Sequence, residues 1–390
     1  MGIIIHFVAG LGLMFILNWT GLIPWRRAAS AHWTERARLL WPMRVTAGWA
    51  LVFVPILVGL IYFLFFPVVR PIQISEAVAA FFGALLGNYA AASEIYPQIN
   101  FKLWCHQTIA NGMRFIIWGL LIAAILLMPD EFGWDMLPIA VGYLVLQLAV
   151  QFGLALRYLR WVNFLKPASE RLRMIVEETS RRLNTPPPPV EQLDGVSANA
   201  FAIVTGRRLI FSDRLVEICT DNEISAICAH ELAHLSESKM VLAGRLLGLF
   251  SFFPLVFIVP CMKTFGFAGL LGPYLVMFLI ARFSRSLSQK MERRADQIAT
   301  TDQAHDRVYA EALEKLYRFN QIPAVNATNR QTHPHLYDRL VDAGVLPDFP
   351  RPEKPDYFTW PGYIFMIAIV VLLVFVEIRI FNPDMGIQPQ

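Results

Sequence analysis

Asn222 to Lys239 reads NEISAICAHELAHLSESK, and at its centre stands His230-Glu231-Leu232-Ala233-His234, an H-E-x-x-H. On a helix, residues four apart lie on one face, one turn above each other. Two imidazoles so placed can grip one zinc ion, and Glu231, beside the first of them, can serve as a general base toward water. The stretch has the marks of a helix. Asp221 stands where it can cap it, Ile224, Ile227 and Leu235 fall near helical spacing, and neither Pro nor Gly interrupts it. An amphipathic helix with two surface histidines would read the same in isolation, so the weight of the motif depends on its surroundings.

Those surroundings are apolar. Of 390 residues 56% are hydrophobic and only 16% charged, which is too apolar for a soluble protein of this size. The apolar residues gather into long charge-free runs, the signature of membrane spans. Gly2 to Trp25 has neither a basic leader nor a cleavage site, so it reads as a retained anchor. Further spans are expected at 45–69, with Pro55 a kink, at 77–93, 115–129 and 136–156, as a hairpin at 246–262 and 264–281 turning at Lys263, and at 357–376. That makes eight. The run 77–93 is the least apolar, but Gly83 and Gly87 form G-x-x-x-G, which suits close helix packing.

The polar segments lie between these runs. A helical pattern covers 168–183, Pro186 to Pro189 form a stiff extended connector, and runs at 198–204 and 208–212 around Thr205-Gly206-Arg207 read as a β-hairpin. The expected layout is a membrane domain over 1–156, a catalytic domain over 157–356 interrupted by the hairpin 246–281, and a last span with its tail over 357–390.

Charge sets the expected orientation. Arg26, Arg27, Arg36, Arg38 and Arg44 face one acid, Glu35, and basic segments mark cytoplasmic ends. The N terminus, the acidic 130–135 loop and the C terminus then fall outside, and residues 157–239 and 282–356 inside. Arginine outnumbers lysine 27 to 7, which leans toward a GC-rich bacterial coding sequence. The expected setting is therefore a bacterial inner membrane with the site on the cytoplasmic side. No basic block with interleaved aromatics is present, which sets nucleic acid aside as a partner. Cys105, Cys219, Cys228 and Cys261 show no paired spacing and read as free thiols.

A zinc hydrolase site of this kind needs a third protein ligand. Beyond the hairpin comes Met291-Glu292-Arg293-Arg294-Ala295-Asp296. Glu292 and Asp296 are four apart and share a helix face. Glu292 can complete a His₂Glu set, and Asp296 can accept the spare ring N–H of a ligand histidine. A solvated charged helix would carry the same residues; position after a membrane hairpin that follows H-E-x-x-H favours the ligand reading.

With these elements the chain resembles the integral-membrane zinc metalloproteases that include the type I CAAX prenyl endopeptidase and the bacterial heat-shock protease HtpX, in which H-E-x-x-H precedes two membrane helices and E-x-x-x-D follows them. Three further matches carry the resemblance: Ser197-Ala198-Asn199-Ala200-Phe201, Phe211-Ser212-Asp213-Arg214-Leu215, and His333-Pro334 with Arg339. They extend it over about 145 residues, from 197 to 340. The resemblance implies a mainly α polytopic membrane protein with a gluzincin-type zinc protease domain containing a small β-hairpin or sheet. It implies one Zn²⁺ on His230, His234 and Glu292, with Glu231 as base. His333 and Arg339 become candidates to stabilise the oxyanion, and Asn199, Ala200 and Phe201 candidates to hold substrate backbone. Five spans ahead of the core are closer to the prenyl protease than to HtpX, while the span at 357–376 departs from both. The implied partners are the lipid bilayer and membrane protein or peptide substrates. Removal of C-terminal residues from prenylated substrates, a signalling sensor-protease and a non-catalytic membrane scaffold stand as alternatives, and the oligomeric state stays open.

Overall fold

The computed structural model describes residues 2–65, 74–113, 116–328 and 334–381. In chain order its helices are α1 (Gly2–Gly21), α2 (Ile23–Arg27), α3 (Trp33–Phe65), α4 (Ile74–Ile95), α5 (Phe101–Gly112), α6 (Ile116–Leu127), α7 (Met136–Ala149), α8 (Ala155–Trp161), α9 (Glu170–Arg182), α10 (Asp213–Ile218), α11 (Asp221–Leu235), α12 (Lys239–Leu249), α13 (Ile258–Phe265), α14 (Leu271–Asp302), α15 (Val308–Asn320), α16 (Leu336–Asp342) and α17 (Trp360–Phe381). The strands are β1 (Leu165–Pro167), β2 (Val190–Leu193), β3 (Ala200–Ile203) and β4 (Arg208–Ser212). They divide between two compact units, residues 1–101 with 321–327 and 349–390, and residues 102–320 with 328–348.

The first unit packs α1, α3, α4 and α17 around Met14, Leu17, Leu40, Val54, Ala80, Ala84, Phe365 and Ile369. The G-x-x-x-G of α4 does what its small residues allow. A Cβ on Gly83 would fall 2.1 Å from the Phe7 carbonyl oxygen, and one on Gly10 would fall 2.2 Å from that of Ala80. Backbones approach this closely only where side chains are absent. Asn18 Nδ2 donates to Asn88 Oδ1 across the same seam at 3.2 Å. Gly10 lies beside Ala80, Met14 beside Gly87 and Asn18 beside Asn88, so α1 and α4 run in the same direction.

The second unit holds the sheet, in the order β1-β2-β4-β3. β2 and β4 are parallel, and the outer pairs are antiparallel. The expected hairpin is β3 and β4, turning through Arg207 at φ 42°. β1 and β2 were not legible: Lys166, Glu191 and Gln192 break up any apolar alternation in strands of three and four residues. Leu209 and Phe211 of β4 pack with Leu172 and Val176 of α9, Leu215 of α10, Ile224 and Leu232 of α11, and Ala312 of α15. The H-E-x-x-H helix is thus clamped between sheet and helices. The four cysteines are free thiols.

Five helical stretches are long and apolar enough to cross a membrane: 2–27, 33–62, 74–95, 101–127 and 253–302. Met136–Ala149 and Trp360–Phe375 are shorter apolar helices. The count of eight is therefore not reproduced among the described residues, and the differences have local causes. α7 gives way to a π-helical turn at 150–154 before α8. The first arm of the hairpin is broken into α12, a 3₁₀ turn at Phe253–Phe257 that holds Pro254, and α13. The hairpin turns at Gly266–Leu270 instead of Lys263. Gly266 has φ 60° and ψ −151°, backbone that only glycine adopts readily. A Cβ on Gly269 would fall 2.0 Å from the Cys261 carbonyl oxygen.

Candidate active site

α11 is set at its first turn. Thr220 caps it in place of Asp221: Thr220 Oγ1 accepts from the Glu223 N–H, and the Glu223 carboxylate accepts from the Thr220 N–H, a reciprocal capping box. From Ile224 to Leu235 every residue but Ser225 is buried. His230 is 5% and His234 7% exposed, which removes the surface-histidine reading. Buried polar groups need partners, and each ring finds them at both nitrogens.

The inner nitrogens face one another. His230 Nε2 and His234 Nε2 are 3.3 Å apart. Glu292, buried on α14, places Oε2 3.5 Å from the first and Oε1 3.6 Å from the second. A tetrahedral zinc with bonds of about 2.0–2.1 Å spaces its donors roughly 3.3–3.4 Å apart. These three side chains thus fit a zinc ion in donor type and in spacing, and they are the metal-competent group among the described residues.

The outer nitrogens are held by the protein. His230 Nδ1 donates to Asp296 Oδ1 at 3.0 Å, with Tyr309 Oη 2.8 Å away. Tyr309 donates to the same Asp296 oxygen at 2.7 Å. Arg339 completes this corner from α16, with Nε on Asp296 Oδ2 at 2.9 Å and Nη2 on both Asp296 Oδ1 at 2.6 Å and Tyr309 Oη at 2.9 Å. On the other ring His234 Nδ1 donates to Glu237 Oε1 at 2.9 Å. Burial opposes a charged His230, but its hydrogen bonds to the Asp296 and Glu292 carboxylates and the charge of Glu231 outweigh it and raise its pKa to about 9.

Glu231 is buried on the same helix, next to His230. Asp296 stands where the sequence reading put it. Arg339 places its guanidinium on Asp296 and Tyr309, behind His230. His333 lies outside the described residues. Tyr309 and Glu237 escaped the sequence reading. Tyr309 belongs to no motif and lies 79 positions from His230, whereas Glu237 stood in the quoted stretch three residues beyond His234, a spacing that brings side chains together at a helix end.

β3 lies at one edge of the sheet, and α11 packs beside it. The Ser212 N–H donates to the Asn199 carbonyl, so by antiparallel alternation Phe201 and Ile203 face β4, while Ala200 and Ala202 face the open edge. The edge has a built stop. Asn320 accepts from the Ala198 N–H at 2.9 Å and donates to its carbonyl at 2.7 Å, standing in for a partner strand. Asn199 is exposed, and its Oδ1 covers the Ala200 N–H at 3.0 Å.

Residues 167–344 match the model of Peptidase family M48. A protease HtpX homolog of Archaeoglobus fulgidus is 24% identical over 232 residues, which cover 55% of this chain and 68% of that protein. The matched segment contains the histidine pair, the carboxylate and every residue that braces them, and over residues 167–344 the chain is similar to peptidase family M48 and to that HtpX homolog.

Proposed function

We propose that this protein is a zinc-dependent endopeptidase that cleaves membrane-associated or misfolded membrane proteins. One observation carries the reading: three buried donors, His230, His234 and Glu292, stand at tetrahedral spacing with Glu231 on the same helix. Bound there, zinc supplies Lewis acidity to the scissile carbonyl and acidifies water. The remaining work falls to the chain. Glu231 takes a proton from the attacking water and returns it to the leaving amine. Asp296 and Glu237 fix the imidazole tautomers, and Arg339 and Tyr309 fix Asp296. His333 remains the candidate for the oxyanion. An extended substrate pairs with the open edge of β3 at Ala200 and Ala202, with Asn199 swinging off the Ala200 N–H; backbone pairing tolerates many sequences, as a quality-control protease requires.

The arginine pattern supports a bacterial inner membrane with the site on the cytoplasmic side, a membrane domain over 1–156, the protease domain over 157–356 and a closing span. The test is a side-by-side assay in detergent with and without chelator. Its substrates are an unfolded membrane protein, a farnesylated C-terminal peptide and the same peptide without lipid. Chelator-sensitive cleavage of the membrane protein is expected. Cleavage of the farnesylated peptide alone would replace this substrate class with prenylated termini, and no cleavage that depends on metal would end the zinc reading.

A further inference from the structure

Glu237 occupies the junction between α11 and α12, and its side chain is only 1% exposed. The surrounding chain does not need it there. Ser236 ends α11, and Ser238 caps α12 by accepting from the Val241 N–H. A carboxylate buried at such a joint is costly unless it is paired, and both of its hydrogen bonds fall on one atom. Oε1 accepts from His234 Nδ1 at 2.9 Å and from Arg245 Nη1 at 2.6 Å. Oε2 is buried and has no partner among the described residues.

We propose that Glu237, anchored by Arg245, is the positioning residue for His234 and sets how tightly the site grips its metal. The role rests on the metal reading of His230, His234 and Glu292. A ligand imidazole coordinates well when its other nitrogen carries the proton and donates it to a fixed acceptor. Arg245 supplies the fixing: its Nη1 donates to Oε1 at 2.6 Å and holds that oxygen in place. It also sits on α12, the first arm of the hairpin, whose end is tied to α7 by Gln147 Nε2 donating to the Leu249 carbonyl at 2.7 Å. His234 is therefore oriented by the arm that leads into the apolar hairpin, whereas His230 is oriented by α14, α15 and α16 through Asp296, Tyr309 and Arg339.

The test uses the full chain in detergent. Zinc affinity is measured by chelator competition, the cobalt(II) form by its visible absorption, and stability by thermal unfolding of the metal-free protein. Glu237→Leu should bind zinc about 10–100-fold more weakly, the loss typical of such outer partners, with a shifted cobalt spectrum. Glu237→Gln should fall between it and the wild type. Arg245→Gln keeps the carboxylate and should weaken zinc several-fold, and it decides the matter if the Glu237 variants do not fold. Unchanged zinc affinity and cobalt spectrum in the folded variants would overturn the role, even if their metal-free forms melt earlier. A wild-type chain that takes up no zinc would instead overturn the metal site itself.

Discussion

Arg339 and Asp296 meet in a two-pronged ion pair, Nε on Oδ2 at 2.9 Å and Nη2 on Oδ1 at 2.6 Å, with both side chains largely buried. The pair lies directly behind His230, since Asp296 Oδ1 also accepts from that ring. Removing one partner of a buried pair leaves an uncompensated charge and typically costs about 3–5 kcal/mol. Arg339→Met should therefore lower stability by that order and loosen the metal, read by thermal unfolding and by bound zinc. A variant with wild-type melting and zinc content would show that Asp296 needs no such support.

The ligand set and the base separate cleanly by substitution. Glu292→Ala removes one of the three donors, and metal analysis should find much lower zinc. Glu231→Gln removes the base without removing a ligand, so zinc should stay while turnover falls by about 10²–10⁴-fold, the usual range for acid–base catalysis. Retained zinc in the first variant or substantial turnover in the second would contradict the proposed roles.

The edge of β3 can be probed with proline. Ala202 faces the open side, so its N–H serves no bond to β4, and proline is tolerated on an edge strand where that group points away from the sheet. Ala202→Pro should fold, bind zinc and lose at least tenfold in cleavage of an unfolded protein. Phe201→Pro, which breaks the ladder to β4, should fail to fold. Full activity in Ala202→Pro would mean that substrate does not pair along this strand.

Orientation is open to labelling. A shared direction for α1 and α4, with α3 between them in sequence, is what three successive crossings require, and it supports counting 74–95 as a span. In a chain whose native cysteines are replaced, a probe in the 130–135 loop should react from outside and one near Pro187 should not. The opposite pattern would invert everything after the third segment.

How much of this was legible depends on range. Chemistry confined to one turn of helix could be read directly. His230, Glu231 and His234 lie within five residues, and a four-residue spacing fixes a shared face before any tertiary contact forms. Glu292 and Asp296 were readable for the same reason, as a second local pair. The Gly83 and Gly87 seam and the β3–β4 hairpin were likewise carried by neighbouring residues. The boundaries were not: the hairpin reverses at Gly266–Leu270, where Gly266 takes a positive φ and Gly269 packs against the Cys261 carbonyl, and a run of apolar residues does not mark that point.

By itself the sequence determined the paired-histidine face of α11, the carboxylate on a second helix that makes the third donor and the apolar character of the rest, because each is a property of neighbours along the chain. Only the tertiary structure decided what surrounds the two imidazoles. Arg339 and Tyr309 reach Asp296 from α16 and α15, and Arg245 reaches Glu237 from α12. A buried charge takes whichever partner the fold brings within hydrogen-bonding distance. Nothing in a local pattern records that an arginine 43 positions away from an aspartate will be the one to arrive.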